Sequence, residues 1–179
     1  PRYVGLTSGE LARYARVLSC CWRVLGVRGG DRVAIFDYGA SPVSYLASSL
    51  YTPYLKIGAA DDLGCITICN DGLPEMSGRA LDILRNVHPR ALFLRTECLQ
   101  PFVQEVGRQG VDVAAALEIL VPEADEQVID KEAVHSLGTR LDLKVPRVVR
   151  SDQAMFLATE CLTCEAFHTP RSSYHLEVV

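Results

Sequence analysis

The sequence predicts an α/β fold, with a mainly parallel sheet and helices on both faces. Two observations predict it. Short apolar runs typical of buried strands recur along the chain, and segments of ten or so residues with helical periodicity separate them. No internal repeat or low-complexity linker divides the 179 residues, a length that suits one substantial domain better than two.

The N-terminal segment predicts a strand, a helix, a turn and a second strand. Thr7 and Glu10 have the spacing of a capping box, in which each side chain satisfies the other residue's backbone N–H. Gly26 suits the end of that helix, and Gly29-Gly30 suit the turn before the strand "RVAIF". A Gly-Gly pair also suits a phosphate, but this pair precedes a strand, which favours the turn. The apolar stripe of the helix consists of Leu11, Tyr14, Leu18, Cys21 and Leu25.

Strands and helices continue to alternate downstream. A helix capped by Ser77 and a helix from Thr96, with Pro101 near its first turn, are the clearest of these elements. We expect further strands at "CITIC", "RALFL", "LEILV" and "VPRVV", and a closing strand over 174–179. The predicted helices are the start of "PVSYLASSLYTPYL", then "SGRALDILRNV", "TECLQPFVQEVGRQG" and "DKEAVHSLGTRLD".

Composition and charge exclude several classes of protein. No run approaches the roughly 20 apolar residues of a membrane helix, and no basic-then-apolar leader directs secretion. Seven cysteines, an odd number spread through apolar segments, suit reduced thiols. A net charge of -4 with scattered arginines disfavours a nucleic-acid surface. We expect a cytoplasmic protein with small-molecule partners and without nucleic-acid or membrane partners. Whether it forms a homodimer stays open.

Two cysteines and a histidine near the C-terminus have the spacing of metal ligands. Cys161, Cys164 and His168 form C-x2-C-x3-H, which lets two thiolates and an imidazole converge on tetrahedral Zn²⁺. A thioredoxin-like redox pair fits less well, because that motif opens a helix after a strand. Structural zinc and plain buried or surface thiols both remain open. The candidates for a fourth ligand are Cys65, Cys69, Cys98 and His175.

Five segments, in order, resemble the motifs of one known family. The start of the chain is similar to a series of four features: P-x-x-V-x-x-T, a long helix, G-V-x-x-G-D-x-V and a loop that contains Y-G. The segment "SGRALDILRNVHPRALFL" is similar to a helix that ends in R-D-F-x-P and leads to the next strand. "ILVPEADEQV" stands where that family has V-x-G-A-E-P, "VVRSDQ" where it has Y-G-x-S/T-E, and "ECLTCEAFH" where it has E-C-x-x-x-x-G-L-H. The chain therefore resembles the adenylate-forming superfamily, most closely its phenylacetate–CoA ligase branch.

The resemblance implies an AMP-forming ligase that activates a carboxylic acid with ATP and Mg²⁺ and transfers it to CoA, and we expect that acid to be aromatic. The family's phosphate loop would precede Pro1, and its lysine-bearing lid domain would follow Val179. Neither is in this chain. We therefore expect 1–179 to be a segment of the large N-terminal domain of such an enzyme and to be inactive alone. The alternatives are a non-catalytic ligase-like binding domain and an adenylating enzyme with an amine or carrier protein as acceptor.

The resemblance also implies site residues. Asp152 matches the acid of Y-G-x-S/T-E and would serve as the catalytic partner of Mg²⁺, with Ser151 beside it. The other reading of this Ser-Asp pair is a helix cap, and "ATE" at 158–160 is a rival match to the motif. The nucleotide loop corresponds to Glu123, Ala124 and Asp125, in which Glu123 replaces a small residue and would narrow or polarise the pocket.

Tyr38 and Gly39 match the loop that contributes to the acyl pocket. A tyrosine ring supplies a flat apolar wall with a polar tip, which suits an aromatic acid. Without the resemblance, the same two residues would be an ordinary turn at a strand end.

Overall fold

The computed structural model describes residues 5–39, 41–52, 54–154 and 156–174. The first helix, α1, covers Ser8–Val24, and the predicted capping box begins it: the Thr7 N–H donates to Glu10 Oε2 at 2.7 Å, and the Glu10 N–H donates to Thr7 Oγ1 at 3.2 Å. Gly26, at φ 84°, follows its end, as predicted. The predicted N-terminal strand falls largely, and the closing strand after Tyr174 wholly, outside the described residues.

A parallel sheet of four strands forms the centre of the molecule. In space the order is β2-β1-β3-β4, so that β1 and β3 lie in the middle. Ala34 of β1 pairs with Ile68 on one side and Leu92 on the other, and Leu92 pairs with Leu120. The strands are β1 (Arg32–Phe36), β2 (Ile66–Asn70), β3 (Ala91–Arg95) and β4 (Ile119–Glu123). The predicted α/β class is confirmed.

Helices cover both faces of this sheet because successive strand residues point to opposite sides. On one face Trp22 of α1 is fully buried against Phe93, with ring centroids 5.8 Å apart. On the other face Phe102 packs with Phe36 and Leu92. The first face carries α1, α2 (Pro42–Ala47) and α3 (Ala59–Leu63), and the second carries α4 (Ser77–Val87), α5 (Thr96–Gln109) and α6 (Lys131–Leu141).

Two local predictions need correction. Ser77 does not cap α4 but is its first residue, and its hydroxyl donates to the Pro74 carbonyl at 2.7 Å. A 3₁₀ turn over Pro74–Met76 leads directly into the helix, so the chain is already coiled where a cap would stand. Pro101 lies in the second turn of α5, and the helix continues through it.

The predicted strand "VPRVV" does not extend the parallel sheet. Lys144 makes one parallel bridge with Ile119. The chain then leaves the sheet, and β5 (Val148–Ser151) pairs antiparallel with β6 (Phe156–Glu160), which pairs with β7 (Phe167–His168). The connection after Ser151 is too short for the crossover that a parallel pair requires. No helix in the described ranges is long and apolar enough to span a bilayer.

Candidate functional site

Charged side chains collect at the carboxyl ends of three strands of the parallel sheet. Asp37 and Tyr38 follow β1, Arg95 ends β3, and Glu123 ends β4. The chain leaves β1 toward one edge of the sheet and β3 toward the other, so the gap between these strands is a topological switch point. Open α/β sheets bind ligands at this position, outside the carboxyl ends of the strands.

The guanidinium of Arg150 joins these strand ends. Its Nη1 lies 2.8 Å from Asp37 Oδ2 and 3.1 Å from Glu123 Oε1. Its Nε and Nη2 hold both oxygens of Asp152, at 2.5 and 2.9 Å. Asp37, Glu123, Arg150 and Asp152 are called the Arg150 cluster below. Three acids surround this one buried arginine, and Arg95 adds a second positive charge at Asp37, from which it lies 3.5 Å away.

Glu123 is the most unusual member of the cluster. It is 1% exposed, and neither carboxylate oxygen accepts a hydrogen bond, although Oε1 is close to Arg150. Burial raises the pKa of Glu123 to about 7, the charge of Arg150 opposes that rise, and the charge of Asp37 adds to it. Glu123 therefore exchanges a proton near neutral pH. Its side chain points to Arg150, away from the surface.

Asp152 and its neighbours form a polar turn against the loop after β4. The Asp152 N–H donates to Asp125 Oδ1 at 2.8 Å, and the Ser151 hydroxyl donates to Glu126 Oε1 at 3.4 Å. Ala124 lies in the same loop, where it bridges to Gln127. The structure thus brings together the residues that the sequence assigned to the nucleotide and to magnesium.

The alternatives for this segment fare less well. Residues 152–154 form a turn, and the next described element is the strand β6, so a helix cap does not describe the pair. In the rival match at 158–160, the acid is Glu160, which holds the Arg147 side chain at 2.7 Å and makes no contact with the Arg150 cluster among the described interactions.

Tyr38 and Arg95 form a stacked pair beside the cluster. The Arg95 guanidinium lies 3.6 Å from the centroid of the Tyr38 ring and is held by Asp37 at 3.5 Å and by Glu97. The ring remains 49% exposed. Next to it, Gly39 leaves open space, since nothing lies within 4 Å of the position that its Cβ would take. The pair is a flat, supported surface at the switch point.

Sequence reasoning missed Asp37, Arg95 and Arg150 as site residues. The first two each follow or end a buried apolar strand, in "AIFD" and "LFLR". A charged residue at that position of a parallel strand faces the ligand-binding edge, so this signal was available. Arg150 carries no such signal, because its two buried partners are remote in sequence.

Two of the cavities differ in their position relative to the switch point. A narrow cleft of 20 Å³ runs between α1, α2 and β6, with apolar walls such as Val17, Val43 and Leu157 and the Arg150–Asp152 pair at one end. A much larger open groove of 1110 Å³ lies at the amino ends of the strands, near Arg90 and Glu118. The groove therefore lies at the opposite end of the strands from the switch point. Its larger volume alone does not identify it as the ligand-binding site.

Cys161, Cys164 and His168 converge, as their spacing predicted. Their ligand atoms all lie within 4.8 Å of one another, and Cys164 Sγ is 3.2 Å from His168 Nε2. The Thr163 N–H donates to Cys161 Sγ at 3.4 Å, and backbone donors of this kind lower the pKa of the Cys161 thiol.

The candidates for a fourth ligand do not join this group within the described residues. Cys98, on α5, is buried in the core. Burial raises the pKa of Cys65 to about 11 and that of Cys69 to about 12, so both stay protonated thiols near neutral pH. His175 lies outside the described residues.

No family model and no curated protein matches the chain. Solved structures do. An open conformation of 2-hydroxyisobutyryl-CoA ligase in complex with 2-HIB-AMP and CoA is 14% identical with a TM-score of 0.65, over 88% of this chain and 38% of that chain. The thioesterification state of the same ligase, also with 2-HIB-AMP and CoA, is 16% identical with a TM-score of 0.63, over 82% and 29%.

A protein described as a candidate long-chain-fatty-acid CoA ligase from Rhodopseudomonas palustris CGA009 is 14% identical with a TM-score of 0.50, over 92% of this chain and 35% of that chain. The chain thus spans roughly a third of the length of the structures that it matches. Sequence identities of 14–16% support a similarity of fold and nothing finer. The α/β fold of this chain is similar to that of part of these ligase structures.

Proposed function

We propose that this chain is the central part of the large domain of an AMP-forming ligase, which activates a carboxylic acid as an acyl-adenylate and transfers the acyl group to CoA. The observation that carries the proposal is the position of the Arg150 cluster at the switch point of this fold. Charge and a flat aromatic surface meet there, at the edge where α/β sheets bind their ligands. The similar fold of 2-hydroxyisobutyryl-CoA ligase supports it.

The reaction has two steps. A carboxylate oxygen of the acid bonds to the α-phosphorus of ATP, and pyrophosphate leaves. The CoA sulfur then bonds to the acyl carbon, AMP leaves with the electron pair of the broken bond, and the thiol proton passes to solvent or a base. Both steps need charge neutralisation and alignment more than covalent help from the protein. The phosphate loop and lid that the family uses would come from outside this chain.

Asp152 and Asp125 would hold Mg²⁺. Magnesium is bound through one or two carboxylates together with substrate phosphates, so this donor set fits it in kind. Arg150 takes one lone pair from each oxygen of Asp152, and Asp125 Oδ1 accepts the Asp152 N–H. Each oxygen keeps a lone pair. When bound, the ion would neutralise phosphate charge, while Arg150 fixes the orientation of the Asp152 carboxylate.

The nucleotide would lie along Ala124, Asp125 and Ser151; Ser151 hydrogen-bonds to Glu126 of the loop that contains the other two. Glu123 would contribute through its backbone, since its carboxylate is buried against Arg150. A glutamate at this position therefore narrows the pocket less than its size suggests. Its charge acts on the site through Arg150 instead.

The acid would be aromatic. The Tyr38 side chain is half exposed and so offers apolar surface to a flat substituent, while Arg95 stacks on its ring at 3.6 Å. Gly39 leaves room beside it. This chemistry agrees with the phenylacetate–CoA ligase branch, which we propose as the place of the chain within the superfamily.

The test is carboxylate-dependent ATP–pyrophosphate exchange by the full-length protein, across a panel of aromatic and aliphatic acids. We expect exchange with at least one aromatic acid and a loss of about 100-fold or more in Asp152→Asn, because a group that stabilises developing charge is removed. Asp82→Asn is the matched control, since Asp82 lies on α4 and pairs with Arg85. Equal losses in both variants would contradict the role of Asp152.

A non-catalytic binding domain is the second candidate. The observation that favours it is that Arg150 already holds both oxygens of Asp152. This candidate predicts that the full-length protein binds ATP or an acid without any exchange. A third outcome, exchange without thioester formation when CoA is added, would point to an amine or a carrier-protein thiol as the acceptor.

A further inference from the structure

The hairpin formed by β6 and β7 carries the most convergent set of metal-ligating groups outside the Arg150 cluster. We propose that Cys161, Cys164 and His168 bind one Zn²⁺ ion, which fastens this hairpin and takes no part in acyl transfer. The proposal is independent of the ligase function, since none of the three residues belongs to the Arg150 cluster.

The backbone fixes the positions of the three ligands. The Cys161 N–H donates to the Ala166 carbonyl at 2.9 Å, and the Glu165 N–H donates to the Cys161 carbonyl at 3.0 Å. Glu165 adopts a left-handed conformation at φ 54°, which closes the turn. His168 is paired with Thr159 of β6. The chain therefore holds both cysteines and the histidine on one short loop and strand.

The distances suit a tetrahedral ion after a small adjustment. Zn–S bonds of about 2.3 Å and Zn–N bonds of about 2.0 Å place tetrahedral ligand atoms about 3.5 to 3.8 Å apart. Here the ligand atoms lie within 4.8 Å, with Cys164 Sγ and His168 Nε2 at 3.2 Å. Cys164 and His168 are exposed, so rotation of their side chains closes the remaining gap without moving the core.

The ligand chemistry selects the metal. Two sulfurs and one imidazole are soft and borderline donors, which favour Zn²⁺ over Mg²⁺ or Ca²⁺. The Thr163 N–H already points at Cys161 Sγ, at 3.4 Å, in the direction that stabilises a negatively charged sulfur. No fourth His, Cys, Asp or Glu joins the group within the described residues, so water or a donor from elsewhere completes the tetrahedron.

Contacts at the surface order the rest of the hairpin, among them the Arg147 guanidinium 5.1 Å from the centroid of the Phe167 ring. Leu162 and Phe167 are 37% and 39% exposed, and Cys164 and Ala166 are also exposed. Its ion pair to α6, between Glu165 and Lys131, is exposed on both sides and contributes little stability. Ordering a polar segment costs conformational entropy that this packing does not offset, whereas a metal bond does.

The experiment uses the protein purified without a histidine tag and stripped of metal under reducing conditions. Co²⁺ is added first, because tetrahedral thiolate cobalt absorbs strongly in the visible range, and Zn²⁺ then displaces it. We expect one equivalent to bind. Cys161→Ser, Cys164→Ser and His168→Asn should each weaken binding by more than about 100-fold, beyond the usual effect of altering a residue behind the ligands. Cys20→Ser, on α1, is the matched control and should bind as the unaltered protein does.

Two further measurements separate a clip from incidental binding. Amide hydrogen exchange of residues 161–168 should slow when zinc is added. The Asp152→Ala variant should still bind one equivalent of zinc, whether or not the protein catalyses ATP–pyrophosphate exchange. The proposal is overturned by a spectrum of octahedral cobalt, by unchanged affinity in Cys161→Ser or His168→Asn, or by hydrogen exchange that zinc leaves unaltered.

Discussion

Glu123 and Arg150 form a buried ion pair in which Oε1 and Nη1 lie 3.1 Å apart, yet neither oxygen of Glu123 accepts a hydrogen bond. The guanidinium directs its remaining contacts to Asp37 and Asp152. Proximity without hydrogen bonding lowers the cost of burying the carboxylate only in part. The protonation of Glu123 is therefore coupled to the stability of the protein near neutral pH.

The pH dependence of stability tests this coupling. Burial raises the pKa of Glu123 from 4.5 to about 7, so between these values the folded state holds a proton that the unfolded state has lost. The contribution of Glu123 to stability is full below pH 4.5 and is lost as the pH rises through about 7. Glu123→Gln removes this dependence. We expect the unfolding free energy of the variant, relative to the unaltered protein, to increase by up to about 3 kcal/mol across that window.

Urea unfolding at several pH values measures the effect, and comparison of the two proteins cancels the other titrating groups. Ser136→Ala, an exposed change on α6 at a side chain without a titratable group, is the control and should give a difference that does not vary with pH. A constant difference for Glu123→Gln as well would show that its carboxyl titrates normally in the folded protein.

Removal of Arg150 should be strongly destabilising. Arg150→Met leaves Asp37 and Glu123 buried without their shared cation, which typically costs about 3–5 kcal/mol. Arg23→Met breaks an ion pair with Asp62 in which the arginine side chain is 52% exposed, and should cost within about 1 kcal/mol. Urea unfolding at neutral pH compares them. Similar losses of unfolding free energy in both variants would mean that the Arg150 cluster contributes little to the stability of the protein.

Two helical glycines should respond to alanine in opposite directions. A Cβ on Gly107 of α5 meets nothing within 4 Å, so Gly107→Ala should stabilise by about 0.5–1 kcal/mol through helix propensity. A Cβ on Gly138 of α6 would lie 2.8 Å from the Leu143 carbonyl oxygen. That distance is too short for a carbon–oxygen contact, so the backbone would have to move. Gly138→Ala should therefore lower the thermal unfolding midpoint while Gly107→Ala raises it. Shifts of the same sign would refute the contact.

The capping box at the start of α1 gives a smaller, well-defined effect. Thr7→Ala removes the acceptor for the Glu10 N–H and should cost about 1 kcal/mol. Thr7→Ser keeps the hydroxyl and should recover most of it. Ser8→Ala, an exposed change at the first helical residue, is the control. Thermal unfolding measures all three, and a loss in Thr7→Ser equal to that in Thr7→Ala would exclude the hydrogen bond as the cause.

The secondary structure could be predicted well because its signals are local. The strand "ALFLR" is buried along nearly its whole length, and such apolar runs identify strands of a parallel sheet. The error at Ser77 arose because a serine before a helical pattern predicts a cap, whereas Pro74 had already started a tighter turn. The error at β5 arose because a strand's sequence does not specify its partner.

The candidate site could be predicted only in part. Motif resemblance pointed to Asp152 and Tyr38, and the structure places both near the switch point. It could not reveal that Arg150 holds Asp152, Asp37 and Glu123 together, because no spacing rule links residues on different strands. Convergence of Cys161, Cys164 and His168 was predictable, since their spacing is short enough for one hairpin.

The contact between Arg150 and Asp37 closes a loop of 113 residues. Closing a flexible loop of that length costs about 4 kcal/mol of chain entropy. An isolated ion pair cannot meet that cost, so the contact must wait until the strands of the parallel sheet have already brought the two ends together. Arg150 therefore belongs to the late stage of folding, and its loss should accelerate unfolding far more than it slows refolding. The candidate site would then be completed only after the parallel sheet has formed.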